Sequence, residues 1–290
     1  MLNLDAGVPF LLMTATCPPS LRSEILSSLG IIDCHVIHAA TDRPEISYNV
    51  KLHPTLKQAE KELIKSVKEY LKAKEGDTSF RGLVYCRSKK QVERIAKSIG
   101  CTPFHAERPQ GEREVNFREW VGGKQKFLVS TSLLGCGIDV EGVRAVFHFG
   151  TPWSILDFVQ ESGRAGRGGH PSTSVVFAGM DEDMPLGGDA NDLYGKETMR
   201  NWVTQDSECR RSALSDFLDK GRKTCMLLKG AVLCDVCKAE SLKHHPKKLV
   251  EFSTAPIPDG DIPKAKKLPY VPSLSLTYEI ERNRSRESNR

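Results

Sequence analysis

The chain has 290 residues, 39% of them hydrophobic, enough to bury one full core and to carry two units. Its formal charge is +5, and residues 241–290 hold ten Lys and Arg against six Asp and Glu, so a polyanionic partner is permitted by the balance and not demanded by it. No stretch approaches the ~18 uninterrupted apolar residues of a membrane span, and the first thirty residues lack the basic-then-apolar order of a secretory signal, so the expectation is an intracellular chain with no membrane partner.

Residues 9–31, "PFLLMTATCPPSLRSEILSSLGI", read as a short buried strand at Phe10–Met13, a turn at Pro18 and Pro19, and an amphipathic helix ending at Gly30. A strand and a helix cannot close a core alone, so this piece must lean on the next domain or on a part outside the sequence. In "TDRPEISYNVKL" Pro44 precedes alternating strand residues. The apolar positions Leu56, Leu63, Val67, Tyr70 and Leu71 then mark a helix over Leu56–Lys74 with a charged outer face.

Next the pattern alternates: "GLVYC" strand, "KKQVERIAKSI" helix, "GEREVNFREWVGG" helix, "KFLVST" strand, "VRAVFHFG" strand, "SILDFVQESGRAG" helix, "STSVVFA" strand. Short continuous apolar strands joined by helical crossovers predict an α/β fold, a doubly wound parallel sheet covered on both faces. Ligands of such sheets meet the loops at the carboxyl ends of the strands, which puts "CRSKK", "STSLLGCGID" and "GTPWS" on one rim. The segment "MPLGGDANDLYG" reads as a linker, and "KETMRNWVTQDSECRRSALSDFL" as helical. From His244 onward Pro, Ser, Lys and Arg dominate, which predicts a disordered basic tail over 244–290.

Two features carry chemistry. In "QESGRAGRGG", a helix over Gln160–Arg167 would place Arg164 and Arg167 at i and i+3, so that two guanidinium forks reach one ligand. Two permanent cations converging on one point suit a polyphosphate gathering charge in a transition state; a solvated basic turn is the plainer alternative. Of nine cysteines, Cys17, Cys34, Cys86, Cys101 and Cys136 are scattered singly, as reduced thiols would be. Cys209, Cys225, Cys234 and Cys237 cluster with fifteen, eight and two residues between them. That set could hold a structural tetrahedral Zn²⁺; four reduced buried thiols, or a redox pair at Cys234 and Cys237, are the alternatives.

The segments "TAT" (14–16), "GLVYCRS" (82–88), "LVSTSLLGCGID" (128–139) and "QESGRAGR" (160–167) occur in the order and approximate spacing of motifs III to VI of superfamily 2 helicases. Within that superfamily Pro9–Lys238 resembles the RecQ DNA helicases. "TDRPEISYNV" is similar to their interdomain strand, "FHAE" to their "YHAG", and "GCGIDVEGVRAVFHFGTPWSILDFVQESGRAGRGG" to their motif V to VI block.

The resemblance implies a RecA-like sheet with a small helical zinc-binding subdomain. It divides the chain into a remnant of the first RecA-like domain with its linker (1–43), a helicase C-terminal domain (44–184), the zinc subdomain (185–243) and the tail (244–290). It implies ATP with Mg²⁺ as cofactor and single- and double-stranded DNA as partner. Arg164 and Arg167 would face the ATP γ-phosphate, Arg167 as the finger and Arg164 beside it. Gln160 would order their helix, Gly137 and Asp139 would border the ribose, and Thr131, Ser132, Arg87 and Ser88 would hold strand phosphates. Thr14 and Thr16 would couple hydrolysis to strand movement. The four clustered cysteines would ligate zinc, Cys225 being the weakest member because "MLLKGAVL" lengthens the interval after it, with His244 and His245 as substitutes. Glu107, where the family has glycine, adds a carboxylate to a surface that should meet DNA.

No GxxxxGK[ST] occurs, and no Asp-Glu pair of Walker B type precedes "TAT". The expectation is half of a hydrolytic site, completed by a first RecA-like domain, with the isolated chain turning over ATP negligibly and the parent working on DNA in the nucleus. A non-enzymatic zinc-stabilised binding module, or part of a DEAD-box RNA helicase, are the competing readings.

Overall fold

Among the described residues six strands pair side by side: β1 (Ile46–His53), β2 (Arg81–Cys86), β3 (Thr102–Phe104), β4 (Phe127–Ser130), β5 (Val143–Phe149) and β6 (Ser172–Gly179). Their spatial order is β1-β6-β5-β2-β4-β3, and every pairing is parallel. The computed structural model describes residues 11–132, 140–183 and 191–244. The helices are α1 (Pro19–Ser28), α2 (Leu56–Ala73), α3 (Lys89–Ile99), α4 (Gln110–Val121), α5 (Ile155–Ser162), α6 (Lys196–Thr204), α7 (Arg210–Asp219) and α8 (Asp235–His244).

Parallel strands need crossovers, and these bury both faces of the sheet. In β6, Val175 and Phe177 join Leu63, Val67, Val92 and Ile95 of α2 and α3 in one core. Val176 and Ala178 join Trp120, Phe158, Trp202 and Leu214 of α4 to α7 in the other. The sequence therefore predicts the sheet and its two-sided cover correctly.

Local chemistry explains where the helices begin. Thr55 and Ser88 open α2 and α3 with reciprocal capping boxes to Gln58 and Gln91. Gly100 closes α3 in the left-handed conformation, at φ 70°.

Three expectations are corrected and one strand is added. Of the strand expected at Phe10–Met13, Phe10 lies outside the described residues and 11–13 form no strand; Leu11 and Met13 are 80% and 82% exposed, and among the described residues no strand pairs with them. The expected helix over 196–218 is two helices: the Arg210 guanidinium donates to the carbonyls of Trp202 and Gln205, satisfying the end of α6 and forcing a break before α7. Strand β3 is added at the sheet edge, where the missing N–H of Pro103 is tolerated. The run after Ser154 is helical only to Ser162, so Arg164 and Arg167 do not sit on a helix. The expected tail falls outside the described residues beyond His244.

Candidate functional site

The parallel order brings the carboxyl ends of β2, β4 and β5 to one edge. Arg87 and Ser88 follow β2, Thr131 and Ser132 follow β4, and Gly150–Trp153 follow β5. Tyr85, Arg87, Ser132, His148, Trp153 and Glu161 line a narrow cleft between them.

The arginine turn rises beside this cleft. Ser154 caps α5 by accepting the Asp157 N–H at 3.1 Å. After Ser162 the chain turns. The Arg164 and Ala165 amides donate to the carbonyls of Glu161 and Ser162, and the Gly166 amide crosses to Val143 at 3.0 Å. Gly166 adopts φ +72°, and a Cβ there would lie 2.5 Å from Cγ of Glu45, so both its conformation and its neighbour require glycine. Arg164 is buried and Arg167 half-buried. Beneath them Nε2 of His148 lies 3.2 Å from Oε2 of Glu161, and His148 stacks on Tyr85. Burial pushes the Tyr85 hydroxyl well above the usual tyrosine range against the pull of Arg164, so the phenol stays neutral beside a guanidinium.

The remaining predicted residues divide. Nε2 of Gln160 donates to Oγ1 of Thr16 at 3.3 Å, which joins the two most distant sequence motifs. Thr14 is exposed; its hydroxyl accepts the Thr16 N–H at 3.2 Å. Arg87 is already engaged: it meets Glu182 at 3.0 Å and stacks on Trp153 at 4.2 Å. The oxygen of Ser88 accepts the Gln91 N–H at 3.3 Å, leaving its O–H as the group it can offer a phosphate. Thr131 is half-buried and Ser132 exposed on the rim. Gly137 and Asp139 lie outside the described residues. Glu107 pairs with Lys89, which holds its carboxyl below the usual range. The extra charge is thereby matched locally.

Sequence reasoning missed Glu182, Arg43 and Arg211. The Glu182 carboxylate accepts from Arg87 and from the amides of Thr151 and Gly179. Arg43 and Arg211 spend their guanidinium groups on backbone carbonyls. Partners contributed by folding carry no local sequence signature.

The four clustered cysteines come together, with sulfurs all within 4.8 Å of one another. Sγ of Cys209 is 3.6 Å from that of Cys225 and 3.9 Å from that of Cys234. A tetrahedral zinc thiolate site, with bonds of ~2.3 Å, puts sulfurs about 3.8 Å apart. The set is therefore compatible with a metal, and Cys225 stands within it, 3.6 Å from Cys209. The side chain of His244 and all of His245 lie outside the described residues. Hydrogen bonds from Cys225 and Cys234 hold the Cys209 thiol far below the usual range. Cys234 is pushed far above it, chiefly by its bond to Cys209, and burial pushes Cys237 up to about 12.

Comparisons with known proteins bear on the same segments. Residues 62–169 match the family described as the helicase conserved C-terminal domain. The putative ATP-dependent DNA helicase Q1 of Caenorhabditis briggsae is 30% identical over 245 residues, covering 81% of this chain and 38% of the relative. The ATP-dependent DNA helicase RecQ of Pasteurella multocida is 32% identical over 174 residues, covering 58% of this chain and 26% of the relative. The chain thus spans less than two fifths of the length of these relatives. S. cerevisiae Dbp5, solved bound to RNA and ADP BeF3, superposes with a TM-score of 0.50 at 14% identity, covering 66% of this chain and 48% of that one, a likeness of fold.

Proposed function

We propose that this chain, which is similar to RecQ helicases and matches the helicase conserved C-terminal domain on a RecA-like parallel sheet, supplies the second RecA-like half of an ATP-dependent DNA helicase. The observation that carries the reading is the contact of Gln160 with Thr16 beside a glycine turn bearing Arg164 and Arg167. It ties the arginine turn to the one segment of motif III, the point where a first RecA-like domain would be joined.

In this reading Arg167 meets the γ-phosphate of Mg²⁺-bound ATP, where a guanidinium stabilises charge developing on the transferred phosphoryl group. Arg164, more buried and beside the neutral Tyr85, orients the turn and adds positive potential. Gly137 and Asp139 border the ribose. Thr131, Ser132, Ser88 and Arg87 hold phosphates of the tracking strand, contacts that position DNA without reading sequence. The half-site is completed by a phosphate-binding loop, which none of the 290 residues supplies. Unwinding in the 3′ to 5′ direction, nuclear residence and the division into residues 1–43, 44–184, 185–243 and 244–290 belong to the same proposal.

Cys209, Cys225, Cys234 and Cys237 would hold Zn²⁺. Its chemistry there is structural, since four thiolates leave no open position. These residues fasten the start of α7 to α8 against β1, where Asp235 accepts the Val50 N–H at 2.8 Å and pairs with Arg210.

ATP turnover by the chain, alone and with a separately supplied first RecA-like domain, tests the proposal. Turnover is expected to be negligible alone and to be restored by the pair with DNA present. In the pair Arg167→Ala should lower it about 10³-fold. Turnover near ~10 s⁻¹ by the chain alone, or no loss on Arg167→Ala, would overturn it.

A further inference from the structure

Two guanidinium groups in series run from the cysteine-bearing helix to the arginine turn. Arg43, in the segment before β1, donates through Nη1 to the Gly163 carbonyl at 2.9 Å and through Nη2 to the Ala165 carbonyl at 2.7 Å. These carbonyls flank Arg164 on either side, and the third face of the fork is closed by the Glu45 carboxylate. Arg211, second residue of α7, donates to the carbonyl of Arg43 itself at 2.8 Å and to that of Ile46 at 2.8 Å, and lies over the Tyr48 ring at 5.3 Å. The Val232 amide, between Cys225 and Cys234, bonds to the carbonyl of Pro44 at 2.8 Å.

We infer that Arg43 is a positioning residue for the arginine turn and that Arg211 seats it, so that the cysteine-bearing subdomain sets where Arg164 and Arg167 point.

The physical reason lies in what the turn lacks. Past Ser162 the backbone leaves the helix, and glycines at 163, 166, 168 and 169 would otherwise leave it many conformations. A planar fork bonded to two carbonyls two residues apart selects one of them, and only arginine presents that geometry. Arg211 is almost fully buried and satisfies carbonyls on both sides of Pro44, so Arg43 cannot swing away without exposing them.

This inference rests on the proposed role of Arg164 and Arg167, and its test separates the two. Hydrogen exchange of the full chain, read by mass spectrometry, is measured for wild type, Arg43→Lys and Arg211→Lys. Both variants keep the charge and lose the fork. Amides of residues 164–166 are expected to exchange about tenfold faster, with β2 and β5 unchanged. Unchanged exchange at the turn, or equal acceleration throughout the sheet, would overturn the inference. In the assembled pair with a first RecA-like domain, Arg43→Lys should lower kcat about tenfold with KM for ATP nearly constant. A loosened turn with unaltered kcat would keep the placement by Arg43 and instead refute the role given to Arg164 and Arg167.

Discussion

Gln160 and Thr16 stand 144 residues apart and meet through one hydrogen bond, Nε2 to Oγ1 at 3.3 Å. Gln160 is exposed, and Thr16, itself buried, lies in a segment without regular structure. A contact of this kind has little to do with stability and is suited to transmitting a change from one segment to the other.

Gln160→Ala should therefore leave the chain within about 1 kcal/mol of wild-type stability. In the assembled pair it should reduce DNA unwinding more than ATP hydrolysis, and Thr16→Ser should retain both. Parallel unwinding and phosphate-release assays measure the ratio. An equal loss of both would show that the contact builds the site instead of coupling it.

Glu182 is the buried anchor of the rim, its side chain 3% exposed and its partner Arg87 17% exposed. Glu182→Ala strands the Thr151 and Gly179 amides and the Arg87 charge, and should cost about 3 kcal/mol in urea unfolding. Glu182→Gln retains an acceptor and should cost less.

If Arg87 holds a strand phosphate, Arg87→Ala should weaken DNA binding equally for all sequences. The slope of log affinity against log salt should fall by about 1. Fluorescence anisotropy with two unrelated single strands over a salt series measures both. A sequence-dependent loss would contradict backbone contact.

One zinc per chain is expected by elemental analysis, falling on Cys234→Ser. Metal removal should lower Tm and speed hydrogen exchange in α7 and α8 first, because the thiolates then repel in a confined space. Cys101→Ser, whose sulfur is outside the cluster, should do neither.

Asp77 organises the turn before β2: its carboxylate accepts from the Ser79 hydroxyl and amide and from the Phe80 amide, and pairs with Arg144 at 3.2 Å. The Ser79 hydroxyl chiefly holds its pKa below the usual carboxylate value. A depressed pKa makes this stabilisation fully present above the unfolded value of ~3.9 and lost as pH falls through the lower folded value. Asp77→Asn should accordingly flatten part of the decline in Tm between pH 5 and 3 and change its slope little above pH 6.

The elements legible in the sequence are those set by local periodicity and caps. The helix over 89–99 follows from Ser88, Gln91 and the spacing of Val92, Ile95, Ala96 and Ile99. The strand at 81–86 follows from an apolar run. The expected helix around Arg164 failed because Gly163 and Gly166 hand the backbone to tertiary partners, Val143 and Arg43, that no local pattern announces. The glycine-rich segment that carries Arg164 and Arg167 was legible, whereas the engagement of Arg87 by Glu182 was not.

Composition and periodicity by themselves determined an α/β chain with a parallel sheet, a pair of arginines on a glycine-rich segment and four cysteines able to meet. Those properties are local or depend only on counting apolar surface, and side-chain period is written directly in the chain. The tertiary structure alone decided that the arginines ride on a turn clasped by Arg43, that Arg211 links that clasp to the cysteine-bearing helix, and that Thr16 touches Gln160. Hydrogen bonds between distant residues depend on where strands β1 and β6 lie side by side, a result of burying both faces at once that no short window of sequence contains.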